Sequence, residues 1–235
     1  AGAADAEALL GYIRANGRED LRDLTRARAL YEQAAAAGCS QGHLGLALAI
    51  LHSAETEDAR KIAASHLKEA TQGGLGTAFD ILGRMSEAGA GVPQDMGAAA
   101  RYYRQAAERN IVGAQARYGL FLLEGRGIER NISRAETWLR RAALGGDVES
   151  AALLGDIYVR GDDLAPNYLE AATWYRLAAE NGHTAAARGL GLLYLTGTGV
   201  HRDPNEAARW FRLSAENGDR VADADLGNLA LSGAA

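Results

Sequence analysis

Three glycine-rich segments are the first places in this chain of 235 residues where the residue types suggest chemistry. They read GAGV at 89–92, GRGI at 125–128 and GTGV at 197–200. Such a loop binds phosphate when a strand leads through it into a helix, because the backbone amides then point at the anion. Here no strand pattern precedes the glycines, and each segment follows a helical pattern whose last carbonyls point outward. We therefore interpret all three segments as turns that end helices, with ligand binding as the alternative.

Candidate metal ligands are few and badly spaced. No histidine makes a His-x-x-His or His-x-x-x-His pair with a matching carboxylate, the spacing that places ligands on one helix face. The acidic pairs Glu19-Asp20 and Asp162-Asp163 lack the further oxygen ligands of a calcium loop, and we interpret them as solvated turns. The sequence therefore predicts no metal and no cofactor. The five histidines are His43, His52, His66, His183 and His201.

Other classes of function find no support in the composition. The single cysteine, Cys39, excludes an intrachain disulfide, and no Gly-x-Ser-x-Gly segment suggests a nucleophile. With 25 basic and 30 acidic residues, the net charge of -5 gives no electrostatic case for binding nucleic acid. No run of about 18 apolar residues is present, so the sequence predicts no transmembrane segment.

The chain repeats with a period of 36 residues, and the helices of this repeat determine where the candidate residues lie. A Leu-Gly pair recurs at this step from Leu82-Gly83 to Leu226-Gly227, with Tyr118-Gly119 in the same register. Six further columns keep the step without an insertion. We predict one domain, 1–235, with about 6.5 repeats and a terminal helix at 219–231. The predicted repeats are approximately 3–38, 39–74, 75–110, 111–146, 147–182 and 183–218.

Each repeat reads as two antiparallel helices, which we call helix A and helix B. A polar column of Asp and Asn precedes helix B and predicts N-caps, although the second repeat has Ala59 there. Glu170 and Glu206 complete capping-box spacings with Asn167 and Asp203. A column of glycine follows helix B and predicts left-handed C-terminal residues. That column is Gly38, Gly74, Asn110, Gly146, Gly182 and Gly218.

Stacking of such pairs predicts an all-α fold, a right-handed superhelical solenoid, because one pair cannot bury both apolar stripes alone. On helix B, an aromatic column includes Trp138, Trp174 and Trp210 and also holds His66. We expect this column to pack in the core. The alternative is an exposed stacking platform, which would make the chain a glycan- or peptidoglycan-binding module.

The last full repeat, AARGLGLLYLTGTGVHRDPNEAARWFRLSAENG at 186–218, resembles the Sel1-like repeat family, a relative of tetratricopeptide solenoids. The resemblance covers almost the whole chain and implies a non-catalytic scaffold or adaptor that binds other proteins. Many bacterial members are exported, as periplasmic regulators or as adaptors of secretion or polysaccharide export. A periplasmic or secreted location is therefore implied, with the cytoplasm as the alternative. The chain opens AGAADAEALL, so either a signal peptide has been removed or the chain is cut from a longer protein.

The partner site is expected on the helix A arc, the side of each helix A opposite its buried stripe. In tetratricopeptide-like solenoids this arc lines the concave groove, and here its residues vary between repeats. It would bind a protein or peptide through apolar anchors and charged contacts. Two alternatives are that its leucines pack against the next helix A, and that the unpaired helix 220–231 mediates self-association. The predicted groove residues are Asp80, Arg84, Glu87, Leu120, Leu123, Asp156, Arg160, Arg188, Leu192 and Leu195.

Overall fold

A computed structural model describes residues 2–161 and 165–231. Within these ranges the chain forms thirteen α-helices, one 3-10 turn at Glu19–Leu21 and no strand, which confirms the all-α prediction. The predicted acidic turn Asp162-Asp163 lies outside the described residues. None of the described helices has the length and apolar character needed to cross a membrane.

The helices belong to two compact units, Ala1–Glu129 and Arg130–Ala235. In each unit, consecutive helices pack against one another as antiparallel neighbours. The first unit contains α1 (Gly2–Asn16), α2 (Leu24–Ala36), α3 (Ser40–His52), α4 (Glu57–Gln72), α5 (Gly76–Ala88), α6 (Met96–Ala107) and α7 (Val112–Glu124). The second contains α8 (Ile132–Leu144), α9 (Val148–Arg160), α10 (Tyr168–Glu180), α11 (Thr184–Thr196), α12 (Pro204–Glu216) and α13 (Arg220–Leu231).

The predicted N-caps form in five of the six B helices. In each of these five, the cap side chain accepts a hydrogen bond from the backbone amide three residues on, as Asp95 does from Ala98 at 2.9 Å. The exception is α4, because Ala59 has no side-chain acceptor. There the helix starts upstream, and Thr56 Oγ1 accepts from the amide of Ala59 at 3.2 Å.

The predicted capping boxes are only half formed. The caps Asn167 and Asp203 accept from the amides of Glu170 and Glu206, as expected. Their own amides, however, donate to backbone carbonyls near the end of the preceding helix A, Asp203 to Tyr194 at 3.0 Å. A backbone bond between the two helices of a pair thus replaces the reciprocal side-chain bond.

The glycine column and the glycine-rich segments confirm the turn interpretation. Every member of the predicted C-terminal column has a positive φ, including the non-glycine Asn110 at 61°. In the first glycine-rich segment, the amide of Gly91 donates to Glu57 Oε1 at 2.6 Å, so a side chain already occupies this donor. A Cβ on Gly91 would also lie 2.5 Å from the carbonyl carbon of Arg60, on the preceding helix B. This close approach explains the second glycine.

The core forms where a helix B side chain packs on the Leu-Gly glycine of helix A. A Cβ on Gly83 would lie 2.7 Å from Tyr103 Cδ1, and one on Gly191 would lie 2.6 Å from Phe211 Cε1. The predicted aromatic column is less deeply placed, since Trp138 and His66 in it are only half-buried. A helix B column of large side chains, one residue later in the sequence, is buried in all six repeats. It contains Tyr31, Leu67, Tyr103, Leu139, Tyr175 and Phe211.

Candidate functional site

In the first unit, Glu87 is the residue of the predicted helix A arc that a buried tyrosine contacts. It lies in the last turn of α5 and accepts a hydrogen bond from the hydroxyl of Tyr103 at 2.6 Å. Arg126 Nη1 lies 3.2 Å and Arg117 Nη1 lies 3.9 Å from its other carboxylate oxygen. Burial, together with the hydrogen bond to Glu87, raises the pKa of Tyr103 well above its ordinary value. The tyrosine therefore stays a neutral donor and fixes the carboxylate from the core side.

The other predicted residues of this unit lie on α5 and α7. Arg84 and Asp80 form an ion pair one helical turn apart, with Nη2 and Oδ2 at 2.6 Å. The Arg84 side chain is mostly exposed, whereas that of Asp80 is mostly covered. Leu120 and Leu123 on α7 are half-buried. This part of the arc therefore combines a charged helix with a leucine-bearing helix, as the sequence predicts.

Sequence reasoning missed the two arginines that face Glu87. Arg117 lies on α7 outside the predicted arc, and Arg126 is the middle residue of a glycine-rich segment. The Arg126 guanidinium also lies 4.8 Å from the centre of the Phe121 ring. The sequence contains one signal for Arg126. Among the three glycine-rich segments, only GRGI at 125–128 has a charged residue between its two glycines.

In the second unit, a buried tyrosine likewise contacts Asp156, which occupies a different position of the repeat from Glu87. Asp156 accepts a hydrogen bond from the hydroxyl of Tyr175 at 2.6 Å, and it is exposed. Burial, followed by the bond to Asp156, raises the pKa of Tyr175, while the nearby charge of Arg160 opposes the shift. Arg160 itself is exposed at the end of α9.

The remaining predicted residues of this unit are partly committed to packing. Arg188 on α11 pairs with Asp225 on α13, with Nε and Oδ2 at 2.7 Å. Leu192 and Leu195 pack against a buried cluster that includes Phe211 and Leu229. For these two leucines the contacts support the packing alternative over an exposed anchor.

The tryptophans do not form an exposed stacking platform. Trp174 and Trp210 retain only 6% and 7% of their exposable surface. Trp138 is half-buried, with the Arg141 guanidinium 4.7 Å from the centre of its ring. The observed burial therefore supports core packing, and it removes the feature on which the glycan-binding alternative depended.

Two histidines that look unrelated in sequence meet in space. Nδ1 of His43 on α3 and Nδ1 of His66 on α4 are 3.0 Å apart. Burial and the neighbouring His43 lower the pKa of His66. No group of three or more potential metal ligands occurs in the ranges 2–161 and 165–231. The pair was missed because its members lie 23 residues apart and no local spacing connects them.

Repeated antiparallel helix pairs and a variable polar face define a helical-repeat protein. The Sel1 repeat model matches residues 4–39, 81–111, 112–147, 148–183 and 184–219, more than half of the chain, so the chain belongs to the Sel1 repeat family. Sel1 repeats generally act as protein-interaction scaffolds. The repeat model does not match residues 40–80, although α3 and α4 form a helix pair in this range.

Solved structures support the assignment. The chain is 32% identical to c5321, a protective antigen present in uropathogenic Escherichia coli strains with an SLR fold, at a TM-score of 0.87. That match covers 98% of this chain and 49% of the antigen, so this chain spans about half of its length. A Sel1 repeat protein from Oxalobacter formigenes is 27% identical, with a TM-score of 0.76 and coverage of 94% and 86%. No curated protein matches the chain in sequence.

Proposed function

We propose that this chain is a non-catalytic scaffold whose helix A arc binds a peptide or protein segment carrying charged and apolar side chains. The observation that carries the proposal is the pair of hydrogen bonds from Tyr103 to Glu87 and from Tyr175 to Asp156, both 2.6 Å long. Each bond holds a carboxylate of the variable arc from inside the core. A side chain that is fixed before binding loses less conformational entropy when a partner arrives.

The charges on the arc favour a partner of mixed sign. Arg84 and Arg160 are exposed, and each lies on the same helix as a tyrosine-held carboxylate. A basic side chain of the partner would pair with Glu87 or Asp156, and an acidic one with Arg84 or Arg160. Leu120 and Leu123 would provide apolar contact beside the first carboxylate. Such contacts determine register and specificity more than total affinity.

The test is a comparison of variants on selected peptides. A displayed library of random peptides is selected on the wild-type chain, and affinities of the recovered peptides are measured by titration calorimetry. Arg84→Glu and Arg160→Glu, introduced separately, are expected to weaken binding by about tenfold each, because a charged contact becomes repulsive. Arg101→Glu, an exposed arginine on α6, is the matched control. Equal affinities for all three variants would refute the arc as the site.

Self-association is a second candidate, and it rests on α13. Val221 and Leu231 expose 52% and 89% of their surface on this helix, while Ala222 and Leu229 are buried. Two copies that pair these exposed side chains would cover them. Sedimentation of the wild type and of Val221→Lys tests this candidate, which requires a concentration-dependent dimer that the substitution abolishes.

The proposal includes two further expectations. Residues 1–235 would act as one solenoid domain, which the uninterrupted 36-residue period supports. The location would be periplasmic or secreted, as the Sel1-like resemblance implies, with the cytoplasm as the alternative. Fractionation of the source cells, with an antibody against this chain, distinguishes the two compartments.

A further inference from the structure

A cavity of about 680 Å³ lies in the second unit, between α10, α11 and α12. Its walls include Arg176, Tyr194, Glu206, Trp210, Arg212 and Leu213. None of the predicted groove residues lines it. The cavity is large enough for a peptide side chain or a small molecule.

At the equivalent position one repeat earlier, the chain's own side chains pair with one another. Arg140 lies there, with Nε 2.7 Å from Glu136 Oε1 and Nη2 donating to the Tyr158 hydroxyl at 2.7 Å. Glu170 lies 3.5 Å from the same Nη2 and accepts the indole N–H of Trp174 at 3.0 Å. Two carboxylates thus satisfy the guanidinium and the buried indole.

Thirty-six residues later the same donors remain, but one of the two carboxylates is absent and the other pairs elsewhere. Arg176 donates to the Tyr194 hydroxyl at 2.5 Å and so repeats the arginine–tyrosine contact, but the position of Glu136 is taken by Ala172. Among the described residues no carboxylate lies within 4.0 Å of the Arg176 guanidinium. Glu206, the equivalent of Glu170, instead faces Arg209 at 3.5 Å.

Trp210 is left with a buried donor. The residue is buried, with 7% of its surface exposed, and its Nε1 has no hydrogen-bond partner in the described part of the chain. A buried N–H without an acceptor lowers the stability of the folded state. The repeat that precedes it shows which group satisfies such an indole, namely a carboxylate beside an arginine.

We propose that this cavity binds a carboxylate of a peptide partner, which takes the place that Glu136 and Glu170 occupy one repeat earlier. Arg176 donates to the bound carboxylate through its guanidinium, and Trp210 through its indole N–H. Leu213 offers an apolar wall to the rest of the peptide residue. Three arginines and three glutamates line the cavity, so the preference comes from the placement of these two donors and not from net charge.

The test uses three short peptides and the indole signal of Trp210. The peptides are acetyl-Ala-Glu-Ala-amide, acetyl-Ala-Ala-Ala with a free C-terminal carboxylate, and acetyl-Ala-Gln-Ala-amide. The Trp210 indole resonance, assigned with Trp210→Phe, is followed in a proton–nitrogen correlation spectrum during titration. The expected result is a saturable downfield shift with one or both carboxylate peptides and none with the glutamine peptide. The peptide that shifts the signal identifies the carboxylate as side-chain or C-terminal.

Two variants make the result specific. Arg176→Gln is expected to weaken binding by about tenfold or more, because a charged hydrogen bond is lost. Ala172→Glu rebuilds the filled arrangement and is expected to abolish the shift while circular dichroism shows an intact helical fold. The arc variants Arg84→Glu and Arg160→Glu are expected to leave it unchanged, so this proposal and the arc proposal can fail separately. No shift with either carboxylate peptide, or an undiminished shift in both cavity variants, would overturn the inference.

Discussion

The Tyr175 hydroxyl donates to Asp156 Oδ1 at 2.6 Å, while the ring of the same tyrosine packs against Gly155, the residue before the acceptor. One side chain on helix B therefore sets both the close packing of a helix pair and the position of a charge on the exposed arc. Tyr103 does the same with Gly83 and Glu87 in the first unit. The packing column and the variable face are connected through these two hydroxyl groups.

Loss of either hydroxyl is expected to lower stability without removing the ring. We predict that Tyr103→Phe and Tyr175→Phe each lower the free energy of unfolding by about 1.5–3 kcal/mol, the contribution typical of a hydrogen bond to a charged acceptor. Urea unfolding followed by circular dichroism measures this change. Tyr12→Phe, at an exposed position of α1, is the control and is expected to change nothing.

The same tyrosines predict a loss of stability at alkaline pH. Their folded-state pKa values are raised above the ordinary value of 10.0, so the folded chain holds these protons more tightly than the unfolded chain. Their contribution is complete below about pH 10 and is lost as the pH rises above it. Unfolding curves measured across this range are expected to show a weaker alkaline dependence in the double variant Tyr103→Phe/Tyr175→Phe. An unchanged dependence would contradict the assignment.

The Leu-Gly glycine is predicted to matter only where a ring covers it. Gly191→Ala places a Cβ 2.6 Å from Phe211 and is expected to cost about 1–3 kcal/mol through overpacking. Gly227→Ala, in the same column on α13, meets nothing within 4 Å and is expected to stabilise the helix by up to about 1 kcal/mol. Thermal unfolding of both variants gives the comparison. Equal destabilisation would show that helix geometry, not the ring, selects glycine.

The start of α4 provides a test of the displaced cap. Thr56→Ala is expected to destabilise the chain by about 1 kcal/mol, because the first amides of α4 lose their side-chain acceptor. Ala59→Asp is expected to give no comparable gain, since this position lies inside the helix. If Ala59→Asp stabilised the chain by as much as a cap, the helix would begin where the repeat pattern places it.

The histidine pair predicts a separate loss of stability in acid. The pKa of His66 is lowered from its ordinary 6.5 by burial and by His43, while Glu32 and Glu69 act in the opposite direction. The folded state therefore binds this proton less well, and stability falls as the pH drops below about 6.5. His66→Leu is expected to reduce this acid sensitivity, whereas His201→Leu, at an exposed site, is expected to preserve it.

Features that repeat along the chain were predictable from the sequence. The helix pairs, five of the caps and the left-handed column follow from residue types at a fixed step, because local backbone preferences decide them. The N-cap of the second repeat was only partly predictable. Ala59 shows that the usual cap is missing, but the pattern does not show that Thr56 replaces it. Two adjacent columns of helix B fit the same buried stripe, and the sequence pattern does not show that the second of them lies deeper in the core.

The contacts of the site were less predictable. The bonds from Tyr103 to Glu87 and between His43 and His66 connect different helices, so the distance between helix axes determines them. Leu192 and Leu195 occupy the same two sequence columns as Leu120 and Leu123. Leu192 and Leu195, however, pack against a buried cluster. Periodicity identifies which face is variable but not which of its residues a neighbouring helix covers.

The central claim, that the helix A arc binds a peptide by charge, is tested most directly by compensating reversals. The starting point is a selected peptide whose affinity is lowered by Arg84→Glu. It is resynthesised with each acidic residue changed in turn to lysine. The original peptide and each lysine peptide are titrated against the wild-type protein and against Arg84→Glu. We expect one lysine peptide to bind the Arg84→Glu variant about tenfold more tightly than it binds the wild-type protein, because the ion pair is restored with its signs exchanged. If no lysine peptide restores binding to Arg84→Glu, the arc does not contact the peptide as proposed.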